Sequence, residues 1–127
     1  MRLALKTLGI LTLLAIGFVG GALTAGARHW FQPLAHITIK NDSGQDLSAL
    51  TLTHSSSRFT STVSLPALKQ GESTNFRFFI AGEGGYSIEA KFPDGRVIKG
   101  GAGYVESGYK VTDVVGASKV QSKSSFY

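Results

Sequence analysis

The sequence predicts an all-β domain, a small antiparallel sandwich, preceded by an N-terminal transmembrane helix. Three observations lead to this prediction. The first 27 residues hold 17 hydrophobic residues and only two charges. From residue 36 onward, apolar and polar residues alternate, which is the pattern of strands with one buried face. Turn-forming residues separate the alternating runs at spacings of about 8–12 residues, which indicates roughly seven short strands.

The N-terminal segment is long enough to cross a membrane. Residues 7–27 are 21 consecutive uncharged residues between Lys6 and Arg28, and as an α-helix they extend about 31 Å at roughly 1.5 Å per residue. The hydrocarbon core of a bilayer is about 30 Å thick. A buried helix of a soluble protein would carry a polar stripe at helical spacing, which these residues lack. We therefore predict a cytoplasmic N-terminus over residues 1–6 and a transmembrane helix or signal peptide over residues 7–27.

Two interpretations of this helix stay open. A cleaved signal peptide is indicated by the small residues Ala25–Ala27, which match the A-x-A pattern for cleavage after Ala27. A retained anchor is indicated by the full spanning length and by Trp30 and Phe31 just beyond it, because aromatic side chains concentrate at membrane interfaces. We prefer the anchor, and both interpretations place the rest of the chain outside the cytoplasm.

Basic residues predict the orientation of the anchor. Arg2 and Lys6 precede the helix, and the positive-inside rule keeps such residues on the cytoplasmic side. The expected location is the bacterial inner membrane, with a single pass, a cytoplasmic N-terminus and a periplasmic C-terminal domain.

The net charge of the rest of the chain, +3 from 11 Lys/Arg and 8 Asp/Glu over residues 28–127, is spread along the sequence. Because nucleic-acid binding needs a concentrated basic face, no nucleic-acid partner is expected.

Small residues recur at every fourth position of the helix. Gly17, Gly21 and Ala25 would lie on one helical face, and small residues at this spacing let two transmembrane helices approach closely. They are therefore the candidate helix-packing face of a homodimer. Small residues are equally expected near the end of a signal peptide, so this alternative stays open.

After a juxtamembrane linker over residues 28–35, the alternation predicts the extracytoplasmic β-sandwich over residues 36–117. Each run presents one apolar and one mainly polar face, as in antiparallel sheets with one buried side. Turn-forming residues follow the first run at residues 41–44 and separate the fifth run from the sixth at Pro93–Gly95. Residues 118–127 lack periodicity and are expected to form a flexible tail. The runs contain Ile37–Ile39, Leu50–Leu52, Phe59–Leu65, Phe76–Ile80, Tyr86–Phe92, Val97–Ile98 and Tyr109–Val115.

Three short stretches carry a family resemblance. A first strand ends in Asn41–Gly44, Leu68–Glu72 precedes an apolar strand, and Gly85–Ile88 opens another. On these residues the stretch Ile37–Ile98, roughly half of the chain, resembles bacterial cell-surface immunoglobulin-like repeats. The resemblance implies an immunoglobulin-like sandwich that serves as a binding or spacing module. It also places Tyr86 at the tyrosine-corner position, where the hydroxyl bonds to nearby backbone.

The residue inventory offers no strong catalytic or metal site. Because the chain lacks cysteine, thiol catalysis, disulfides and thiolate metal sites are excluded. His54 is followed by Ser55–Ser57, but adjacent residues on a turn rarely converge as base and nucleophile. No two histidines have the i, i+4 or i, i+2 spacing of metal ligands, and the acidic loop 41–46 departs from the EF-hand order. We therefore predict no catalytic residue, no metal and no cofactor.

The most unusual part of the exported domain is the glycine-rich segment 100–109. It lacks the phosphate-binding patterns of P-loop and dinucleotide-binding proteins. Tyr104, Glu106 and Tyr109 make it a candidate recognition loop, because tyrosine offers a broad contact area with a polar tip. An edge strand with core tyrosines would have the same composition, so this alternative stays open.

Together these observations predict a non-enzymatic binding or accessory domain anchored in the membrane. Its expected partner is another protein of the bacterial envelope. The alternative is a secreted module that binds a ligand or cell-wall saccharide and is released by cleavage after Ala27.

Overall fold

The computed structural model describes residues 2–28, 30, 34–57 and 59–125. The chain divides into two compact units, residues 1–32 and residues 33–127. The first contains a single helix, α1, over Arg2–Ala27. The second contains eight strands: β1 (Ala35–Asn41), β2 (Ala49–Ser56), β3 (Thr60–Leu65), β4 (Ser73–Phe78), β5 (Gly84–Lys91), β6 (Val97–Gly100), β7 (Lys110–Val115) and β8 (Val120–Ser125).

Helix α1 is continuous over the predicted apolar segment. From Lys6 to Ala27 it is long and apolar enough to cross a membrane. The hydroxyls of Thr12 and Thr24 donate hydrogen bonds to carbonyl oxygens four residues earlier, at 2.9 and 2.8 Å. The helix therefore satisfies these polar side chains within its own backbone. A signal sequence near an N-terminus has the same properties, so the choice between anchor and signal peptide stays a prediction.

The strands form two four-stranded sheets that pack face to face. Sheet A has the order β4-β1-β7-β8, and sheet B has the order β3-β2-β5-β6. Neighbouring strands are antiparallel except β1 and β7, which are parallel. The expectation of an antiparallel sandwich is therefore wrong for this one pair. Alternation determines which face of a strand is buried but contains no information on strand direction, so the sequence pattern could not reveal it.

One hydrophobic core lies between the sheets, built from the inward-facing positions of both. In β1 the buried residues alternate with more exposed ones from Ala35 to Asn41, and the inner strands β2, β5 and β7 follow the same rule. Each of the seven predicted runs overlaps one of the eight strands. The largest fully buried apolar side chains are Ile37, Ile39, Leu50, Leu52, Ile80, Ile88, Phe92, Val105, Val111 and Val115.

The expectation of a flexible tail over residues 118–127 is wrong for residues 120–125. They form strand β8, which pairs with β7 from Val120 opposite Val115 to Ser125 opposite Lys110. The strand has one partly buried residue, Val120, and the others are exposed. Because backbone hydrogen bonds and not apolar burial hold this edge strand, it has no alternating pattern to detect. Residues 126–127 lie outside the described residues, as do residues 29 and 31–33 of the predicted linker.

The predicted turns at residues 41–44 and Pro93–Gly95 are both present. The fully buried side chain of Asn41 donates to the carbonyls of Gln45 and Leu68 at 2.7 and 3.1 Å, and it accepts from the hydroxyl of Ser43 at 2.7 Å. Between β5 and β6, Gly95 adopts a φ of +86°, a conformation that glycine adopts readily. These side chains and this glycine set the two turns.

A side-chain hydrogen bond joins the two sheets inside the core. The hydroxyl of Tyr86 on β5 donates to Oδ2 of Asp113 on β7 at 2.6 Å, and the hydroxyl of Ser122 on β8 donates to the other carboxyl oxygen. The expected bond from Tyr86 to nearby backbone is therefore replaced by a bond to the opposite sheet. Asp113 has no exposed surface. Burial raises the pKa of Asp113, and the hydrogen bonds from Ser122 and Tyr86 oppose this shift only in part.

Replacing Asp113 with Asn keeps an acceptor for Tyr86 and removes the ionisable group. Because the pKa of Asp113 is raised, the folded state holds the proton more tightly than the unfolded state. The contribution of Asp113 to the free energy of unfolding therefore falls as the pH rises from the usual value of 3.8 through the raised pKa. In urea unfolding of the full chain in micelles, Asp113→Asn is expected to lose this pH dependence of the free energy of unfolding. Parallel pH curves for the wild type and Asp113→Asn would contradict the assignment.

Replacing Asp113 with Ala leaves the Tyr86 hydroxyl unpaired. Asp113→Ala is therefore expected to lower the free energy of unfolding by about 1–3 kcal/mol.

Candidate functional site

Hydroxyl groups are concentrated on part of the outer face of sheet B. On β2, Leu50, Leu52 and His54 point into the core, so the alternate residues Thr53 and Ser55 face outward. The strand register extends both positions into rows across the sheet. One row contains Thr62, Thr53 and Ser87, and the other contains Thr60, Ser55 and Gly85.

A short segment of chain, residues 101–106, lies beside strand β5 and is called here the wall segment. The backbone N–H of Tyr86 donates to the carbonyl of Ala102 at 2.9 Å. Gly84 and Val105 exchange two backbone hydrogen bonds of 3.2 and 2.7 Å. The side chain of Val105 is fully buried. Backbone pairing and an apolar anchor therefore fix this glycine-rich segment against the sheet.

The close approach of the wall segment requires glycine on both sides. A Cβ atom at Gly85 would lie 2.7 Å from the carbonyl oxygen of Gly103. At Gly101, which has a φ of +131°, a Cβ atom would lie 2.4 Å from the carbonyl oxygen of Tyr86. Such distances are shorter than van der Waals contact, so only glycine fits without a shift of the backbone.

A cleft of about 660 Å³ lies on this face of sheet B, beside the wall segment. Its volume is within the range of about 300–1,000 Å³ found for small-molecule sites. Most of its lining residues are serine, threonine or glycine. The lining residues are Thr53, Ser55, Ser56, Thr60, Glu83, Gly84, Gly85, Tyr86, Ser87, Gly103 and Tyr104.

The structure brings the three predicted loop residues together. The hydroxyl of Tyr104 donates a hydrogen bond to Oε1 of Glu106, and the Tyr104 and Tyr109 rings pack edge to face with centroids 6.1 Å apart. Tyr104 is 49% exposed and lines the cleft. Tyr109 is only 9% exposed and belongs to the core. Tyr109 is therefore placed to support the Tyr104 ring, and a part for these residues in recognition stays a prediction.

The hydroxyl groups of β2, β3 and β5 were not among the predicted site residues. Thr53 and Thr62 form a cross-strand hydroxyl pair 2.8 Å apart, and Ser87 lies opposite Thr53 on the other neighbouring strand. Their signal in the sequence is the repetition of serine and threonine at the polar positions of three strands. Threonine favours strands for its own reasons, so this signal does not separate a binding face from an ordinary solvent-facing one.

The cleft has an acidic character. Glu83 lies within it, and Glu106 accepts the hydrogen bond from Tyr104 at its margin. The hydrogen bond to Glu106, with burial and the nearby carboxylates, raises the pKa of Tyr104 to about 12. Among the described residues that line the cleft there is no lysine or arginine. Anionic ligands are therefore disfavoured by Coulomb repulsion.

His54 lies in the core and not in the cleft. Its ring stacks on Phe78 with centroids 4.5 Å apart and meets the edge of Phe59 at 5.6 Å. Burial lowers the pKa of His54. Because neighbouring residues of a strand point to opposite faces, Ser55 faces outward while His54 faces inward. The two side chains therefore diverge.

Two other predictions concern the packing face of helix α1 and metal binding. Gly17 and Gly21 lie on helix α1, and an added Cβ atom at either would meet nothing within 4 Å. The proposed packing face, which also includes Ala25, stays a prediction. Among the described residues, no group of three or more His, Cys, Asp or Glu side chains is placed to hold a metal ion.

Replacing Glu106 with Ala removes the main cause of the raised pKa of Tyr104. The pKa of Tyr104 is then expected to fall from about 12 towards its usual value of 10.0. Glu83→Ala is the matched control and produces a smaller decrease, because Glu83 acts on Tyr104 through charge alone. The measurement is an NMR titration of the tyrosine Cζ resonances, with Tyr104→Phe used for assignment. An unchanged Tyr104 titration in Glu106→Ala would show that the two side chains are not hydrogen-bonded.

Comparison with known proteins adds information on the fold alone. No family model matches the chain, and no curated protein matches it. The chain is similar to a solved NMR structure of a protein from Eubacterium rectale, with 14% sequence identity and a TM-score of 0.53. The likeness covers 69% of this chain and 86% of that chain. The β-rich architecture of this chain therefore has a counterpart among solved structures.

Proposed function

We propose that this protein is a non-catalytic binding domain held at a membrane by helix α1, with the cleft on sheet B as its recognition site. The observation that carries the proposal is the cleft itself. A half-exposed tyrosine, Tyr104, stands at its margin and is held by Glu106 and Tyr109. Aromatic side chains fixed in place before binding lose little conformational freedom when a partner arrives.

The rigidity of the cleft supports binding as its task. Its floor is a hydrogen-bonded sheet, and the wall segment is fixed to β5 through Gly84, Tyr86 and Val105. Chemistry on a substrate would need a base or nucleophile in a tuned environment. The polar side chains offered to a ligand are instead serine and threonine hydroxyls and the carboxylate of Glu83. Such groups donate and accept hydrogen bonds without further activation.

The membrane part of the proposal rests on helix α1. The segment Lys6–Ala27 has the length and apolar composition of a span. Arg2 and Lys6 lie at its N-terminal end, which favours a cytoplasmic N-terminus and a periplasmic domain by the positive-inside rule. The expected setting is a bacterial inner membrane, and the expected partner is another component of the envelope.

An immunoglobulin-like sandwich is the finer fold assignment that we propose. It is supported by two sheets around one core and by the pairing of β2 with β5 in the centre of sheet B. Strand β1 lies between β4 and β7, whereas the first strand of an immunoglobulin domain pairs with the second. The assignment therefore refers to the general architecture, with a different position for the first strand.

The second candidate is a released binding module. It is favoured by Ala25–Ala27 at the end of α1, which match a signal-peptidase site. The intact mass of the protein purified from membrane and soluble fractions separates the candidates. The anchored form retains residues 1–27 and is recovered from the membrane. A soluble product that begins at Arg28 would replace the anchor by the secreted module.

Photo-cross-linking in living cells tests whether the cleft is the recognition site. A photoreactive phenylalanine analogue is placed at Ser87 in the cleft, or at the exposed control position Thr112 on the outer face of sheet A. The expected result is a discrete adduct from position 87 that is absent or much weaker from position 112. Equal labelling from both positions would contradict a binding role for the cleft, as would no adduct from position 87 together with no ligand binding by the purified protein.

A further inference from the structure

We propose that the cleft on sheet B binds an uncharged saccharide. This inference rests on the proposed binding function and names the chemical class of its ligand. It follows from three properties of the cleft: the type of polar groups, the exposed aromatic ring and the sign of the charge.

The polar groups match a ligand rich in hydroxyls. Thr53, Ser55, Thr60 and Ser87 line the cleft from three adjacent strands, and every serine or threonine hydroxyl can both donate and accept a hydrogen bond. A sugar hydroxyl has the same dual capacity. The carboxylate of Glu83 adds an acceptor for two neighbouring hydroxyl donors. An apolar ligand would leave these groups unpaired, which disfavours a lipid chain.

The exposed ring provides a surface for the apolar face of a sugar. Tyr104 is 49% exposed, and its orientation is set at both ends. Its hydroxyl is bonded to Glu106, and its ring and that of Tyr109 pack edge to face, with centroids 6.1 Å apart. A broad aromatic face with a polar tip suits a ligand that has C–H groups on one face and hydroxyls at its rim.

The charge of the cleft disfavours an anionic ligand. Glu83 and Glu106 are acidic, and the described lining residues include no lysine or arginine. Phosphate, sulfate and carboxylate groups would be repelled. A protein partner is also less well matched, because protein interfaces rely on buried apolar and arginine anchors. The cleft is instead a concave site with a hydroxyl-rich floor.

The test uses the full chain in micelles of a detergent without a sugar headgroup. Neutral probes are tetra-N-acetylchitotetraose, cellotetraose, maltotetraose and mannotetraose, and tetragalacturonate is the anionic comparator. Binding is followed by saturation-transfer NMR and by backbone amide shifts. The expected result is that at least one neutral tetrasaccharide shifts the amides of Gly85, Ser87 and Tyr104, whereas tetragalacturonate does not. Absence of binding by all four neutral probes at millimolar concentration would overturn the inference, as would tighter binding of tetragalacturonate.

Substitutions locate the binding in the cleft. Tyr104→Ala is expected to raise the Kd for the saccharide by roughly tenfold. Tyr104→Phe keeps the ring, so its Kd is expected to stay within about threefold of the wild-type value. Ser87→Ala also weakens binding, and Thr112→Ala on the opposite sheet leaves it unchanged. Amide spectra of each variant report whether the fold is intact. Equal affinities of Tyr104→Ala, Ser87→Ala and Thr112→Ala would overturn the inference.

The two proposals fail in different ways. A protein adduct from position 87 in cells, together with no binding by the neutral saccharides, would overturn the saccharide ligand and leave the binding function in place. No adduct from position 87 and no saccharide binding would overturn both. Saccharide binding that depends on Tyr104 and Ser87 supports both.

Discussion

The hydrogen bond from Tyr86 to Asp113 is the constraint that holds the two sheets in one arrangement. A buried carboxylate must be hydrogen-bonded, because an unpaired one is costly. Asp113 meets this requirement with one donor from the opposite sheet and one, Ser122, from the neighbouring strand of its own sheet. The same carboxylate therefore links β5 to β7 across the core and adds a side-chain hydrogen bond to the backbone pairing of the edge strand β8.

The position of β5 then determines the geometry of the cleft. Because Tyr86 points into the core, its neighbours Gly85 and Ser87 face outward beside Ser55 and Thr53 of β2. The glycine at position 85 leaves room for the wall segment, whose carbonyl at Ala102 accepts the N–H of Tyr86 itself. One strand thus supplies the anchor of the core on one face and part of the cleft on the other.

Much of this fold could be predicted from sequence, because alternation and turn chemistry are local signals. The apolar helix, the seven alternating strands and the turn at Pro93–Gly95 required no long-range information. The parallel pairing of β1 with β7, the edge strand β8 and the partner of Tyr86 depend on which segments meet in space, and no local pattern specifies that. Tyr109 shows the same limit, because its place in the core follows from packing and not from its glycine-rich surroundings.

Only the aromatic and acidic part of the candidate site could be predicted from the sequence. Tyr104 and Glu106 stand out by composition, and they lie together at the cleft. The hydroxyl floor was hidden among polar positions that any solvent-facing strand could have. It becomes a site only because three strands align their serines and threonines in register and the wall segment closes one side.

The central claim is that the wall segment is fixed on β5 before any ligand arrives, so that the cleft is preformed. Amide hydrogen exchange of the full chain without ligand tests this claim most directly. The informative N–H groups are those of Gly84 and Val105, which donate to each other's carbonyls, and that of Tyr86, which donates to the carbonyl of Ala102. We predict protection close to that of the inner strand amides of β2 and β5, because stable pairing resists local opening. Exchange of Tyr86 and Val105 at the rate of an exposed loop would contradict a preformed cleft.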